Sequence, residues 1–122
     1  MSLRVMIVDD ALFMRNVLKD IFEQAGYDVV AEADNGEDVL PLYHKVKPDL
    51  VTMDIIMPRR SGLDALRDLM AVDPAARVIM VSALGQEALV LEAVEAGARD
   101  FIVKPFKEAK VLEVARRVTA QD

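Results

Sequence analysis

Cysteine is absent from the 122 residues, and histidine occurs once. Without thiols the chain can hold no disulfide, no thiolate metal site and no cysteine nucleophile, which suits a reducing cytoplasm. The one histidine, His44, stands among Tyr43, Lys45 and Lys47 with no acid cluster beside it, so it reads as a surface residue rather than a metal ligand. Basic residues are in deficit: 15 Lys or Arg against 21 Asp or Glu leave a formal charge of −6 and a pI of about 4.8. That balance argues against binding nucleic acid, whose phosphates need a basic face, and against an anionic membrane surface. Long apolar runs are missing too. The first, Val5 to Val8, stops at Asp9-Asp10 and is too short for a signal-peptide core or a membrane span. No internal repeat, low-complexity tract or linker interrupts the chain. With 53% apolar and 30% charged residues, what is present is a single folded domain over 1–122 rather than a disordered segment. A chain of this length can bury roughly two-thirds of its unfolded surface in one core.

Short apolar runs rich in Val, Ile and Met recur at Leu3 to Val8, Val29 to Ala33, Leu50 to Met53, Val78 to Val81 and Phe101 to Val103. Most lack strict alternation, as strands buried on both faces do. Segments with helical spacing lie between them. The first sets Phe13, Val17 and Ile21 beside Met14, Leu18 and Phe22 and ends at Gly26, a good C-cap. The second is predicted to start with Asn35 as N-cap, which leaves Pro41 beyond the first turn, where it should kink or shorten the helix. The third runs from Gly62 through Leu63, Leu66, Leu69 and Met70. The fourth covers about Gln86 to Ala96, closed by Gly97, and the last about Lys107 to Val118. Five strands alternating with five helices predict an α/β domain, a doubly wound parallel sheet covered on both faces.

Chemistry collects where strands end. Asp9-Asp10 follows the first strand and Asp54 the third, and in open α/β sheets ligands bind beyond the carboxyl ends of the strands. Carboxylates brought together repel by about 4 kcal/mol per pair at ~4 Å and an effective dielectric near 20, so such a site raises its pKa values or takes a cation. The ligands are hard oxygens, which points to Mg²⁺ rather than Zn²⁺. The plain alternative is that Asp9-Asp10 caps the first helix and Asp54 a loop. Ser82 closes the fourth strand and Lys104-Pro105 the fifth. A lone serine is usually a cap and a lone lysine usually solvated. Together with the acids, however, they give a carboxylate nucleophile, a divalent cation, an ammonium and a hydroxyl donor, a set suited to an incoming phosphoryl group.

Val-Asp-Asp at 8–10, Met-Asp-Ile-Ile-Met-Pro at 53–58, Gly62, Ser82-Ala83, Ala96-Gly97-Ala98 and Phe-Ile-Val-Lys-Pro-Phe at 101–106 resemble the receiver domain of two-component response regulators, nearly end to end. Asp10-Ala-Leu-Phe-Met-Arg15 and Ser82-Ala-Leu-Gly-Gln86 are most similar to stand-alone chemotaxis regulators. The resemblance implies a flavodoxin-like sheet of order 2-1-3-4-5, an order taken over from the family and not read from the residues. It also implies Asp54 as phosphoacceptor from a histidine kinase or a small phosphodonor. Mg²⁺ would be held by Asp10, Asp54 and the backbone carbonyl of Ile56, with Asp9 holding it directly or through water. Lys104 would pair with a phosphoryl oxygen, and its bond to Pro105 is expected to be cis. Ser82 would be the switch hydroxyl, Ala83 would offer its backbone N–H, and Phe101 would turn inward as Ser82 moves. Further partners implied are a flagellar switch protein and a phosphatase, around a cytoplasmic monomer.

Some residues depart from that pattern. Phe101 lacks the hydroxyl that many members carry as Tyr. Arg59-Arg60 is an unusually basic pair after Met-Pro, either solvated or drawing in a phosphodonor or kinase. Ile56 and Leu84, two residues past Asp54 and Ser82, cannot hydrogen-bond an attacking water, so slow self-dephosphorylation and reliance on a phosphatase are expected. In the fourth helix Ala88, Leu89, Val90 and Leu91 sweep about a full turn, so at least one faces away from the sheet; Leu89 is the candidate contact for a docking partner. The seven methionines fall mostly on core positions.

Other functions fit less well. An aspartyl-phosphate phosphatase wants a second carboxylate two residues past its nucleophile, where Ile56 stands. A flavin module wants a Ser/Thr/Gly-rich phosphate loop where Asp9-Asp10 stands. The short Ala120-Gln121-Asp122 tail favours a free regulator over a receiver excised from a longer protein.

Overall fold

A computed structural model describes residues 2–120. The tail residues Gln121 and Asp122, on which the expectation of a free regulator partly rests, lie outside the described residues. Strands β1 (Arg4–Val8), β2 (Asp28–Ala33), β3 (Leu50–Asp54), β4 (Val78–Ser82) and β5 (Asp100–Val103) alternate with helices α1 (Leu12–Gln24), α2 (Val39–Val46), α3 (Gly62–Val72), α4 (Glu87–Glu95) and α5 (Glu108–Thr119). The strands form one parallel sheet in the order β2-β1-β3-β4-β5. β3 and β4 are buried along their whole length and β1 after its first residue, as their unbroken apolar runs require.

Alternation along each strand divides the core in two. Val5 and Ile7 face one side, with Leu50, Ile79 and Ile102, where α1 and α5 cover them through Leu18, Phe22, Val111 and Val114. Met6 and Val8 face the other, with Val51, Met53 and Met80, under Val39, Leu66, Leu69 and Ala93 of α2, α3 and α4. Leu66 and Leu69 are fully buried, and truncating either to Ala is expected to cost about 3 kcal/mol. α1 closes through Gly26, whose φ of 91° belongs to the left-handed region, and the Tyr27 N–H donates to the Phe22 carbonyl.

The second helix differs from expectation. It begins at Val39 with Asp38 as N-cap, not at Asn35. Asn35 is fully buried in the preceding loop. Its side-chain oxygen accepts the Asp38 N–H at 3.1 Å, and its amide donates to the Asp34 and Asp38 carboxylates at 2.8 Å. Pro41 therefore sits within the first turn, where no intrahelical N–H bond is needed, and the helix continues through it to Val46. The apolar stripe of α1 is also shorter than its spacing suggests. Leu18, Ile21 and Phe22 are buried, but Phe13 is 75% exposed because the helix begins above the edge of the sheet.

Register then fixes what emerges where. Val8 pairs with Met53, so Asp9 and Asp54 reach the sheet edge side by side. Ser82 pairs with Val103, which brings Lys104 to the same edge.

Candidate functional site

The C-terminal edge of β1, β3, β4 and β5 gathers Asp9, Asp10, Asp54, Ser82 and Lys104, on either side of the point where the chain's winding reverses between β1 and β3. The Lys104 ammonium lies 3.0 Å from Asp9 Oδ2 and 3.3 Å from Asp54 Oδ2, bridging the two carboxylates. One oxygen from each of Asp9, Asp10 and Asp54 can be chosen so that all three lie within 4.8 Å of one another. Asp9 and Asp54 are buried and Asp10 is exposed, so the cluster opens to solvent on the Asp10 side. Neither member of the Asp9-Asp10 pair caps α1. Its N-cap is Ala11, whose N–H donates to Asp9 Oδ1 at 2.9 Å and so fixes the Asp9 side chain. The bond between Lys104 and Pro105 is cis, and the Lys104 N–H donates to the Ser82 carbonyl at 2.7 Å.

The electrostatics follow from this packing. Burial raises the Asp54 pKa above the usual carboxylate value. The Lys104 charge opposes the shift and the Asp9 charge adds to it. Burial pushes Lys104 down, but its hydrogen bond to Asp9 and the charges of Asp54 and Asp9 outweigh that, so it remains above the ordinary lysine value. Three carboxylates against one ammonium leave an excess of negative charge. The donors are hard oxygens close enough to share one small cation, and their chemistry fits Mg²⁺.

Around the acids the remaining predicted residues fall as follows. Ser82 is buried at the end of β4. Ala83 is exposed, and its N–H donates to the Gln86 side chain at 2.8 Å, so that amide must leave Gln86 before it can meet a ligand. Ile56 and Leu84 are exposed at 58% and 74% and give the site an apolar rim. Phe101 is exposed on β5. It borders an apolar groove of about 290 Å³ that runs from Ser82 past Leu84, Val90, Leu91 and Val94.

Two expectations are corrected. In α4 the outward-facing leucine is Leu91, exposed at 61%, whereas Leu89 is half-buried and packs on the core beneath α3 and α4. Arg60 is not a loose loop cation, because its guanidinium makes a bidentate pair with Asp68 of α3 at 2.7 and 2.8 Å. Arg59 extends into solvent, 3.8 Å from Asp34, on a left-handed backbone with φ of 66°. The sequence marks Gln86 only as a helix start, Asn35 only as an N-cap and Leu91 only as one of four apolar positions in α4. An Asn-Gly step before α2 was the available signal for the second, and helical phase alone could not choose between Leu89 and Leu91.

Comparison with known proteins agrees with this geometry. The family model described as response regulator receiver domain matches residues 5–116. The chemotaxis protein CheY of Thermotoga maritima is 53% identical over 119 residues, 98% of this chain and 99% of its own. Protein CcdB of Bacillus subtilis is 55% identical over 115 residues, 94% of this chain and 96% of its own. A chain from the crystal structure of the CheX-CheY-BeF₃-Mg²⁺ complex of Borrelia burgdorferi superposes with a TM-score of 0.91 at 41% identity, covering 98% of this chain and 90% of that one.

Proposed function

The chain belongs to the response regulator receiver family, and from that premise we propose that it is a phosphorylation-dependent switch of a two-component system, with Asp54 as phosphoacceptor. The observation that carries this reading is the Lys104 ammonium bridging Asp9 and Asp54 within a cluster of three carboxylates. An Asp54 carboxylate oxygen attacks the phosphorus of a phosphohistidine or small phosphodonor. The new O–P bond forms as the donor's P–N or P–O bond breaks, and the leaving group departs with its electron pair. Asp9, Asp10, Asp54 and the Ile56 carbonyl would hold Mg²⁺. Bound there, the ion neutralises charge on the transferred phosphoryl oxygens. Lys104 exchanges part of its contact with Asp54 for a phosphoryl oxygen, and Ser82 and the Ala83 N–H supply the remaining donors.

The same reading supplies an output. As Ser82 moves toward the phosphoryl group it vacates one end of the apolar groove, and Phe101 turns into it, which alters the α4–β5 surface. Chemistry is confined to the protein's own phosphorylation and dephosphorylation. Ile56 stands where a phosphatase of external esters would place its acid/base, and the acids would repel a flavin phosphate. The partners are a histidine kinase, a phosphatase and, by likeness to the chemotaxis regulators, a flagellar switch protein. The Borrelia burgdorferi complex, formed with BeF₃, Mg²⁺ and CheX, supports the metal and the partner protein alike. We place the protein in the cytoplasm as a monomer; no helix among the described residues is long and apolar enough to cross a membrane.

Incubation with Mg²⁺ and a small phosphodonor, followed by mass analysis, tests the reading. Wild type gains one phosphoryl mass and Asp54→Asn gains none. Equal labelling of both, or of neither, refutes Asp54 as acceptor.

A further inference from the structure

Three glycines, Gly26, Gly85 and Gly97, have left-handed backbones, but Gly36 and Gly62 do not, so conformational freedom does not account for the latter two. Space does. A Cβ on Gly62 would lie inside the Asp54 carbonyl, and one on Gly36 would lie inside the Arg60 carbonyl and 2.9 Å from the Arg60 Cβ. Both glycines therefore press backbone on backbone against the two ends of the segment 54–60, which includes Ile56.

That segment is braced from several directions. The Gly62 N–H donates to the Ile55 carbonyl at 2.6 Å, and the Arg60 N–H donates to the Pro58 carbonyl at 2.7 Å across the left-handed Arg59. The Arg60 guanidinium is tied to Asp68. All of these contacts lie within the loop or its own helix. Gly36 comes from the β2–α2 loop instead, and that loop is rigidified by the fully buried Asn35, whose side chain makes three hydrogen bonds to Asp34 and Asp38.

We propose that Gly36, held by Asn35, is a positioning residue for the metal site: its contact with the Arg60 carbonyl sets the path of the β3–α3 loop and hence where the Ile56 carbonyl lies relative to Asp10 and Asp54. The inference rests on the reading of Asp10, Asp54 and Ile56 as Mg²⁺ ligands. A methyl group at position 36 has no flexible side-chain tip to push aside, only the Arg60 backbone, so the loop must shift as a body. Groups that orient first ligands without touching the ion change affinity by about 10- to 100-fold when altered.

The test is calorimetric titration of Mg²⁺ into metal-free wild type, Gly36→Ala, Asn35→Ser and Val118→Ala, each well below its melting temperature. Val118 is fully buried under the opposite face of the sheet and serves as a control for destabilisation alone. Gly36→Ala is expected to bind Mg²⁺ about tenfold more weakly, with the metal-free Ile56 and Met57 amide resonances displaced. Asn35→Ser is expected to weaken binding in the same direction and decides the matter should Gly36→Ala fail to fold. Val118→Ala should bind as wild type does. Wild-type affinity in the loop variants, or equal weakening in Val118→Ala, overturns the positioning role while leaving the Mg²⁺ site intact. A wild type that takes up no Mg²⁺ overturns this inference and the metal-site reading together.

Discussion

Replacing Asp54 with Asn should stabilise the metal-free protein, although it abolishes the proposed acceptor. One oxygen from each acid can come within 4.8 Å of the others. At that separation and an effective dielectric near 20, each pair of carboxylate charges repels by about 3 kcal/mol, and the 3.3 Å contact with Lys104 returns about 5 kcal/mol. Two repulsions and one attraction of this size nearly cancel, so the burden on the Asp54 charge comes first from burial, with the Asp9 charge adding to it and the Lys104 charge opposing it. The exposure of Asp10 reduces its share of the repulsion, and burial of Asp54 works the other way. Asp54→Asn should therefore gain about 1–2 kcal/mol, a rise of roughly 5 °C in melting temperature for a domain of this size. The pH dependence has a definite sign. A raised folded pKa means that protonation of Asp54 favours the folded state. That contribution is fully present below the ordinary carboxylate value of 3.8 and is lost as pH rises through the folded pKa. Wild type and variant should melt alike in acid and diverge toward neutral pH. Excess Mg²⁺ should narrow or reverse the gap, because the ion binds the folded wild type more tightly. Thermal melts in chelator and in Mg²⁺, at several pH values, make the comparison. A variant that melts below wild type at neutral pH without metal would refute the electrostatic argument.

Thr52 lies fully buried in β3 with its hydroxyl unpaired, so Thr52→Val should be neutral or stabilising by about 1 kcal/mol in denaturant titrations; a loss of that size would reveal a partner for the hydroxyl. The apolar rim of Ile56 and Leu84 offers nothing to orient an attacking water, so the phosphorylated protein should persist well beyond seconds in Mg²⁺ without a phosphatase, as followed by loss of the phosphoryl mass. Leu91→Lys should weaken binding of a flagellar-switch peptide with little effect on stability. Leu89→Lys, which puts a charge against the core, should lower the melting temperature; if Leu89→Lys alone impairs binding in folded protein, the outward residue has been misassigned.

The sheet was legible because its strands carry an unambiguous signal: runs such as Val5–Val8 and Val78–Val81 are apolar on both faces and are broken by acids, serine or lysine. Boundaries set by local hydrogen bonds were less so. Asn35 has the residue type of an N-cap, but its side chain serves the turn before α2, and only the packed loop reveals that choice. Phe13 obeys the spacing of α1 yet projects beyond the sheet, because a helix face is buried only where something lies beneath it.

The sequence by itself determined the strand ends that carry Asp9, Asp10, Asp54, Ser82 and Lys104, since side-chain chemistry and the limits of each apolar run are written residue by residue. Tertiary structure decided which of these meet. Register sets Val8 opposite Met53 and Ser82 opposite Val103, and so brings Lys104 within 3.0 Å of Asp9 across 95 residues of chain. It likewise tied Arg60 to Asp68, turned Leu91 rather than Leu89 outward, and seated Gly36 against the Arg60 carbonyl. Contacts of this kind depend on where separate elements pack, and no local propensity records that.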